Sequence, residues 1–150
     1  MRILIDTSIV VRLSEPDDLD AHHTKLAVAT LPDLRFECCI VPQVVYEYWS
    51  VATRSSAQNG LGLSPAQTAI DVTEYLVAFT LLRDERSVFE RWQQLVIKHD
   101  VRGKSVHDAR LVAAMQRHGI AHLLTLNEAD FLRYPDVTVL TPAAVLASKP

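Results

Sequence analysis

The sequence has few of the residues that characterise disulfide-rich, fibrous or membrane-spanning proteins. Only two of its 150 residues are cysteines, and it contains four glycines and seven prolines. These are too few for a low-complexity or collagen-like chain. No run approaches the roughly 20 apolar residues that a membrane-spanning helix needs. The N-terminal sequence MRILIDTSIV reaches an aspartate at position 6, so it lacks an apolar region of signal-peptide length. We therefore expect a cytoplasmic protein with reduced cysteines.

Positive charge is also scarce. Fifteen Lys and Arg residues stand against 18 Asp and Glu residues, a net charge of −3. This balance argues against binding nucleic acid through a large basic surface, but it permits a nucleic-acid enzyme whose acidic site holds cations. Apolar residues make up 49% and charged residues 22% of the chain, which excludes extensive disorder. The length fits one domain, and we predict a single domain over residues 1–150.

Apolar runs and helical patterns alternate along the chain. Strands are predicted at 2–5, 36–41, 79–82, 122–126 and 137–140. Helices are predicted after Asp6, at 23–31, 42–54, 65–77, 85–99 and 105–118, with a helical turn at 127–132 and a short helix after Pro142. A turn is predicted at 15–18. This alternation indicates an α/β domain with a mostly parallel sheet.

Four acidic residues occupy positions where a solvated side chain is not expected. Asp6 ends the first strand, and Asp130 follows the fourth. Glu47 lies mid-helix on an apolar face, and Asp108 opens the apolar face of its own helix. Ligands of parallel sheets bind beyond the carboxyl ends of the strands, so the four acids predict a shared electronegative pocket.

Each of these acids also has a purely structural interpretation. The four alternatives are a helix N-cap for Asp6, an ion pair of Glu47 with Arg54 or another basic group, a Ser105–Asp108 capping box, and an Asn127–Asp130 cap. A single acid would therefore mean little, whereas four at the ends of strands and helices favour a common site.

A divalent cation would relieve the repulsion among clustered carboxylates. Oxygen ligands favour Mg²⁺ or Mn²⁺ over Zn²⁺. The chain lacks a paired Cys/His ligand set, since Cys38 and Cys39 are neighbours in one strand and His22 and His23 are neighbours in an exposed helical region. Mg²⁺ bound by carboxylates commonly serves phosphoester chemistry.

Four segments, LIDTS, YEYWSVATR, VHDARLVAAM and LLTLNEADF, occur in an order and spacing that resembles the PIN-domain ribonucleases, and among them the VapC-type toxins. The resemblance implies a three-layer α/β/α fold with sheet order 3-2-1-4-5. It implies that Asp6, Glu47, Asp108 and Asp130 hold Mg²⁺ or Mn²⁺, with Asn127 as a competing ligand to Asp130. It further implies that Ser8 and Thr125 orient a carboxylate and that Arg54 lies at the pocket edge.

The expected function is therefore a metal-dependent endoribonuclease that leaves 5′-phosphate and 3′-hydroxyl ends. By resemblance it would be a homodimer blocked by a small antitoxin, and it would select its RNA by shape, as in a tRNA loop. Trp49 and Trp92 could stack on bases, although core packing is the commoner role.

Two other functions are considered. One is a PIN-like domain that binds RNA or a partner without cleavage. The other is a receiver-type phosphoacceptor domain, which would need an adjacent acidic pair after the first strand and a lysine after a late strand. The chain has Asp6-Thr7-Ser8 and Leu126-Asn127 at these places, so it departs from the receiver pattern at both.

Overall fold

A computed structural model describes residues 1–16 and 18–149, which contain five strands, seven α-helices and two short 3₁₀ helices. The strands are β1 (Arg2–Ile5), β2 (Glu37–Ile40), β3 (Thr80–Leu81), β4 (His122–Leu124) and β5 (Thr138–Leu140). The α-helices are α1 (Thr7–Ser14), α2 (Leu19–Thr30), α3 (Pro42–Thr53), α4 (Pro65–Ala78), α5 (Arg86–Lys98), α6 (Ser105–His118) and α7 (Pro142–Ala147). The 3₁₀ helices are Ser56–Gln58 and Glu128–Phe131. Across these residues, no helix combines the length and apolarity that crossing a membrane requires.

The five strands form one sheet in the order β3-β2-β1-β4-β5, and every neighbouring pair is parallel. The predicted α/β class and the order 3-2-1-4-5 are therefore confirmed. A receiver-type domain has the order 2-1-3-4-5, so that alternative is wrong. Central strand β1 pairs through Ile3 with Cys38 of β2 and with His122 of β4. Its last three residues are completely buried, as expected for a strand covered by helices on both faces.

Several predicted boundaries differ from the structure by one to four residues, including the end of β4 at Leu124 rather than at residue 126. Helix α2 begins at Leu19, four residues before the predicted start, because the Asp18 carboxylate accepts a hydrogen bond from the Ala21 backbone N–H at 2.8 Å. The sequence predicts a turn at Asp18, because aspartate is common in turns. Aspartate is equally suited to cap a helix, and here it does so. The predicted turn also includes Asp17, which lies outside the described residues. Strand β3 has only two residues, as is typical of a short edge strand.

The parallel arrangement places several chain segments at one edge of the sheet. Asp6 follows β1 and caps α1, and its backbone N–H donates to the Leu124 carbonyl at 3.0 Å. Thr125 directly follows β4 at the same edge. Because a helix that returns the chain to a parallel strand runs opposite to that strand, the first turn of α6 also lies at this edge.

Helix α3 is anchored by a buried tyrosine next to Glu47. Tyr48 is almost completely buried, and its hydroxyl donates to Asp71 Oδ2 of α4 at 3.0 Å. The same hydroxyl lies 2.8 Å from Ser14 Oγ of α1. These contacts fix the rotation of α3 about its axis, and thus the direction in which the preceding residue, Glu47, projects.

Candidate active site

Asp6 is the most buried of the four acids, with 6% of its surface exposed. Its Oδ1 accepts a hydrogen bond from the Thr7 backbone N–H at 2.8 Å. Its Oδ2 accepts from Ser8 Oγ at 2.8 Å and from Thr125 Oγ1 at 2.6 Å. Burial raises the pKa of Asp6, these three hydrogen bonds lower it, and the charge of Glu47 raises it again. The net increase in pKa means that the ionised carboxylate is poorly stabilised by the protein alone.

Glu47 is held by two donors on different parts of the chain. Thr7 Oγ1 donates to its Oε2 at 2.7 Å, and Gln43 Nε2 donates to its Oε1 at 2.7 Å. Thr7 therefore joins the two acids, because its backbone N–H contacts Asp6 and its side chain contacts Glu47. Each carboxylate oxygen can accept two hydrogen bonds, so Glu47 retains free lone pairs.

Asp108 and Asp130 add two further carboxylates. Asp108 is half-buried in the first turn of α6, and Asp130 is exposed in the second 3₁₀ helix. The pKa of Asp108 is raised from 3.8 to about 6, and burial is the largest cause. The negative charges of Asp130, Asp6 and Glu47 contribute to this increase, in that order of size. The fold therefore brings the other three acids within electrostatic range of Asp108.

The structure supports one of the three capping interpretations and contradicts the other two. Asp6 does cap α1. The Ser105–Asp108 capping box is wrong, because the N-cap is Lys104 and no side chain caps α6. The Asn127–Asp130 cap is also wrong, since the Asn127 side chain forms no capping bond. Helix α6 begins one residue earlier than a Ser105 cap requires, whereas Asn127 occupies the N-cap position without a side-chain capping bond. Asp108 is left without a structural hydrogen bond among the described residues.

Three of the predicted supporting residues contact the acids or one another, and the fourth does not. Ser8 and Thr125 both donate to Asp6, and the Asn127 backbone N–H donates to Thr125 Oγ1 at 3.0 Å. Arg54 is exposed at the C-terminal cap of α3, two helical turns beyond Glu47. Within residues 1–16 and 18–149 it forms no hydrogen bond or ion pair with any of the four acids, so the predicted Glu47–Arg54 pair is wrong.

Gln43 is a site residue that the sequence analysis missed. It is 5% exposed, and its Nε2 donates both to Glu47 and to the His107 carbonyl, the latter at 2.8 Å. Its Oε1 accepts from Arg110 Nη1 at 3.2 Å. Gln43 therefore ties α3, which carries Glu47, to α6, which carries Asp108. The spacing of Gln43 four residues before Glu47 was a usable signal, because such pairs meet on a helix.

The chemistry of these side chains fits a hard divalent cation. The donors are all oxygens, Asp6 is buried without a cationic partner in the described structure, and mutual repulsion contributes to the raised pKa of Asp108. Among the described residues, no three acidic, histidine or cysteine side chains lie close enough to share one ion. Asp6 and Glu47 are the best-fixed candidate ligands, and Asp108 and Asp130 would have to turn toward them.

Asp108→Asn is expected to stabilise the metal-free protein at neutral pH. A carboxyl group with a raised pKa contributes stability that is fully present below pH 3.8 and is lost as the pH rises to about 6. A shift of this size corresponds to at most about 3 kcal/mol, which solvent screening of a half-exposed group reduces to about 1 kcal/mol. Urea unfolding in EDTA at pH 4 and pH 7 measures this difference. The exposed Asp33→Asn serves as control, and a variant less stable than wild type at pH 7 would contradict the prediction.

Comparison with known proteins identifies the fold. The sequence model of the PIN domain family matches residues 3–137. No curated protein sequence matches the chain. The structure is similar to VapBC2 from Rickettsia felis bound to a DNA fragment from its promoter, with a TM-score of 0.71 and 14% identity, covering 94% of this chain and 98% of that one. It is also similar to the sarcin–ricin loop cleaving toxin VapC20 of Mycobacterium tuberculosis, with a TM-score of 0.63 and 20% identity over 81% and 86% of the two chains.

A toxin–antitoxin complex from Klebsiella pneumoniae is similar at a TM-score of 0.66 and 21% identity, over 93% of this chain and 97% of that one. Identities this low show that this chain shares the fold of these proteins, and they show nothing about its activity. The family model, in contrast, spans most of the sequence and includes all four acids. The chain therefore belongs to the PIN domain family.

Proposed function

We propose that this protein is an Mg²⁺- or Mn²⁺-dependent endoribonuclease of the VapC type. The observation that carries the proposal is the convergence of Asp6, Glu47 and Asp108 on one edge of a PIN-family sheet, where their charges act on one another. A metal-dependent nuclease needs such a group of carboxylates to hold cations against a polyanionic substrate. A protein that used these acids only for structure would be expected to pair them with arginine or lysine.

In this proposal the carboxylates hold the metal ion and neighbouring polar side chains orient the carboxylates. A bound Mg²⁺ or Mn²⁺ would supply an activated water and neutralise phosphate charge. Asp6 would be held in place for that ion by Ser8 and Thr125, and Glu47 by Thr7 and Gln43. Asp108 and Asp130, or Asn127 in place of Asp130, would complete the set. The RNA would be cut to leave 5′-phosphate and 3′-hydroxyl ends.

The proposal extends to partners and organisation. Several similar structures are toxin–antitoxin complexes, which supports a small antitoxin as the partner of this chain. We further propose a cytoplasmic homodimer in which residues 1–150 form a single domain. With a net charge of −3, the protein would recognise RNA through local groups and shape, as in a tRNA loop.

One observation favours a second function. Because no three candidate ligands in the described structure lie close enough to share an ion, a PIN-like domain that binds RNA without cutting it would also fit. A nuclease would cleave RNA when Mg²⁺ or Mn²⁺ is added. A non-cleaving domain would at most bind RNA more tightly in the presence of these cations.

The test is cleavage of total cellular RNA by the purified protein, freed of any bound partner, with Mg²⁺, Mn²⁺ or EDTA. We expect fragments with 5′-phosphate ends in either metal and none in EDTA, because the carboxylates alone repel the substrate. Calorimetric titration of Mn²⁺ in parallel reports metal binding independently. Cleavage that persists in EDTA would refute metal dependence, and intact RNA with normal Mn²⁺ binding would favour the non-cleaving function.

A further inference from the structure

A cavity of about 450 Å³ lies between α5 and α6, next to the helical turn that carries Asp108. Its walls are mostly apolar and include Val88, Phe89, Trp92 and Val106. His107 and Arg110 of α6 line it as well. We call this cavity the groove. It is larger than a single nucleobase, and the mechanism proposed above does not use it.

The aromatic wall of the groove is held in place but remains accessible. The Trp92 indole N–H donates to the Val106 carbonyl at 2.8 Å, which fixes the ring against α6. The Phe89 ring lies 6.0 Å from the Trp92 ring, at an angle of 30°, and Phe89 is 57% exposed. The expectation that both tryptophans pack in the core is wrong for Trp49, which is exposed, and only partly right for Trp92. An exposed phenyl ring beside a fixed indole offers a flat group a surface on which to stack.

The groove is connected to the acids by hydrogen bonds. Arg110 donates to Gln43, and Gln43 donates to Glu47. His107, which lines the groove, directly precedes Asp108 in the first turn of α6. A substrate with its phosphodiester at the acids would therefore extend naturally along the groove.

The charges around the groove favour an uncharged occupant. Its two acids are already paired: Asp84 accepts from Arg110 at 3.2 Å, and Glu85 forms ion pairs with Arg83 and Arg117. Among the described residues that line the groove, the one Arg or Lys side chain is that of Arg110, so a phosphate would have to compete with Asp84 for it. Arg110 has five N–H donors and uses two of its nitrogens for Gln43 and Asp84, so it retains donors for the polar edge of a base.

We propose that this groove, lined by Phe89, Trp92, His107 and Arg110, binds one unpaired base of a single-stranded RNA. The base stacks on the aromatic wall, and its polar edge faces Arg110. The inference rests on the proposed function, because it takes the adjacent phosphodiester to lie at the carboxylates. It adds a subsite that would make cleavage depend on an unstacked nucleotide next to the cut.

Photo-crosslinking locates the base independently of cleavage. The probe is a single-stranded 12-nucleotide RNA containing 5-iodouridine, bound to the wild-type protein in Ca²⁺. Trypsin separates the two aromatic residues of the groove into peptides 87–91 and 92–98, and places Trp49 in peptide 36–54. We expect crosslinks on 87–91 or 92–98. A crosslink on peptide 105–110, which carries His107 and Arg110, would also agree with the proposal. Crosslinks found only on 36–54 or on other peptides without a groove residue would overturn it.

A matched pair of variants on α5 measures the contribution of stacking. Phe89→Ala should weaken binding of the same RNA roughly tenfold, as expected for the loss of one base–aromatic stack. Ile97→Ala removes another exposed apolar side chain from the same helix outside the groove, and should leave the affinity unchanged. An RNA with abasic sites should bind wild type and Phe89→Ala equally.

The outcomes separate this inference from the proposed function. Equal RNA affinity of Phe89→Ala and wild type would overturn the base subsite even if the wild type cleaves RNA. Conversely, crosslinks at 87–98 together with total cellular RNA left intact in Mg²⁺ and Mn²⁺ would support the subsite and argue against the nuclease.

Discussion

Asp6→Asn is expected to lower RNA cleavage by more than about 100-fold, because loss of a metal ligand should exceed the 10- to 100-fold effect typical of its hydrogen-bond partners. The substitution is nearly isosteric. Ser8 and Thr125, which donate to Asp6 in the wild type, are hydroxyl groups that can reverse their direction and accept from an amide. The measurement is the initial rate of cleavage in Mg²⁺, with Mn²⁺ affinity determined on the same preparation.

The control for this variant is the exposed Asp33→Asn, which should cleave RNA like the wild type. Because burial raises the pKa of Asp6, removal of its charge should not destabilise the metal-free protein. Urea unfolding at pH 7 tests this point. A variant that folds normally and still cleaves at the wild-type rate would exclude Asp6 from the catalytic site.

Gln43→Leu is expected to lower cleavage by about 10- to 100-fold, although Gln43 would touch neither metal nor RNA. Leucine has a similar volume but leaves Glu47, the His107 carbonyl and Arg110 without their shared partner. Unpaired polar groups in a buried position cost about 1–3 kcal/mol each, so the protein should also be less stable. Assays below the melting temperatures of both proteins separate lost activity from unfolding.

A similar hydrogen bond elsewhere in the chain provides the control for Gln43. Gln67 Nε2 donates to Asp71 Oδ1 at 3.0 Å, again from a glutamine to an acid four residues later, but on the exposed surface of α4. Gln67→Leu should therefore leave both cleavage and stability close to wild type. Equal losses in the two variants would show that Gln43 contributes helix stability rather than the placement of Glu47.

Much of the architecture could be predicted because it depends on local patterns. Apolar runs of four to six residues alternate with helical periodicity, which favours a parallel sheet. The sheet order came from the resemblance to PIN-domain ribonucleases, and the structure confirms it. The position of Asp6 also followed from the sequence, since a residue that ends a buried parallel strand must lie at the carboxyl edge.

Boundaries and partners were harder to predict. Asp18 and Ser105 both have side chains suited to helix capping, yet only Asp18 caps a helix. Capping depends on the backbone angles of one residue, which tertiary packing can change without altering the propensity of the sequence. Arg54 was expected near Glu47, whereas Arg110, 67 residues from Gln43, is the cation linked to that region.

The sequence by itself determined the α/β class, the positions of Asp6 and Asp130 after strands, and the net charge of −3. These properties follow from periodicity, residue type and charge, which are local or additive. Tertiary structure alone decided that Gln43 joins Glu47 to α6 and that α5 and α6 enclose an aromatic groove next to the helical turn that carries Asp108. Such contacts join residues far apart in the chain, and their geometry is set by how the helices pack on the sheet.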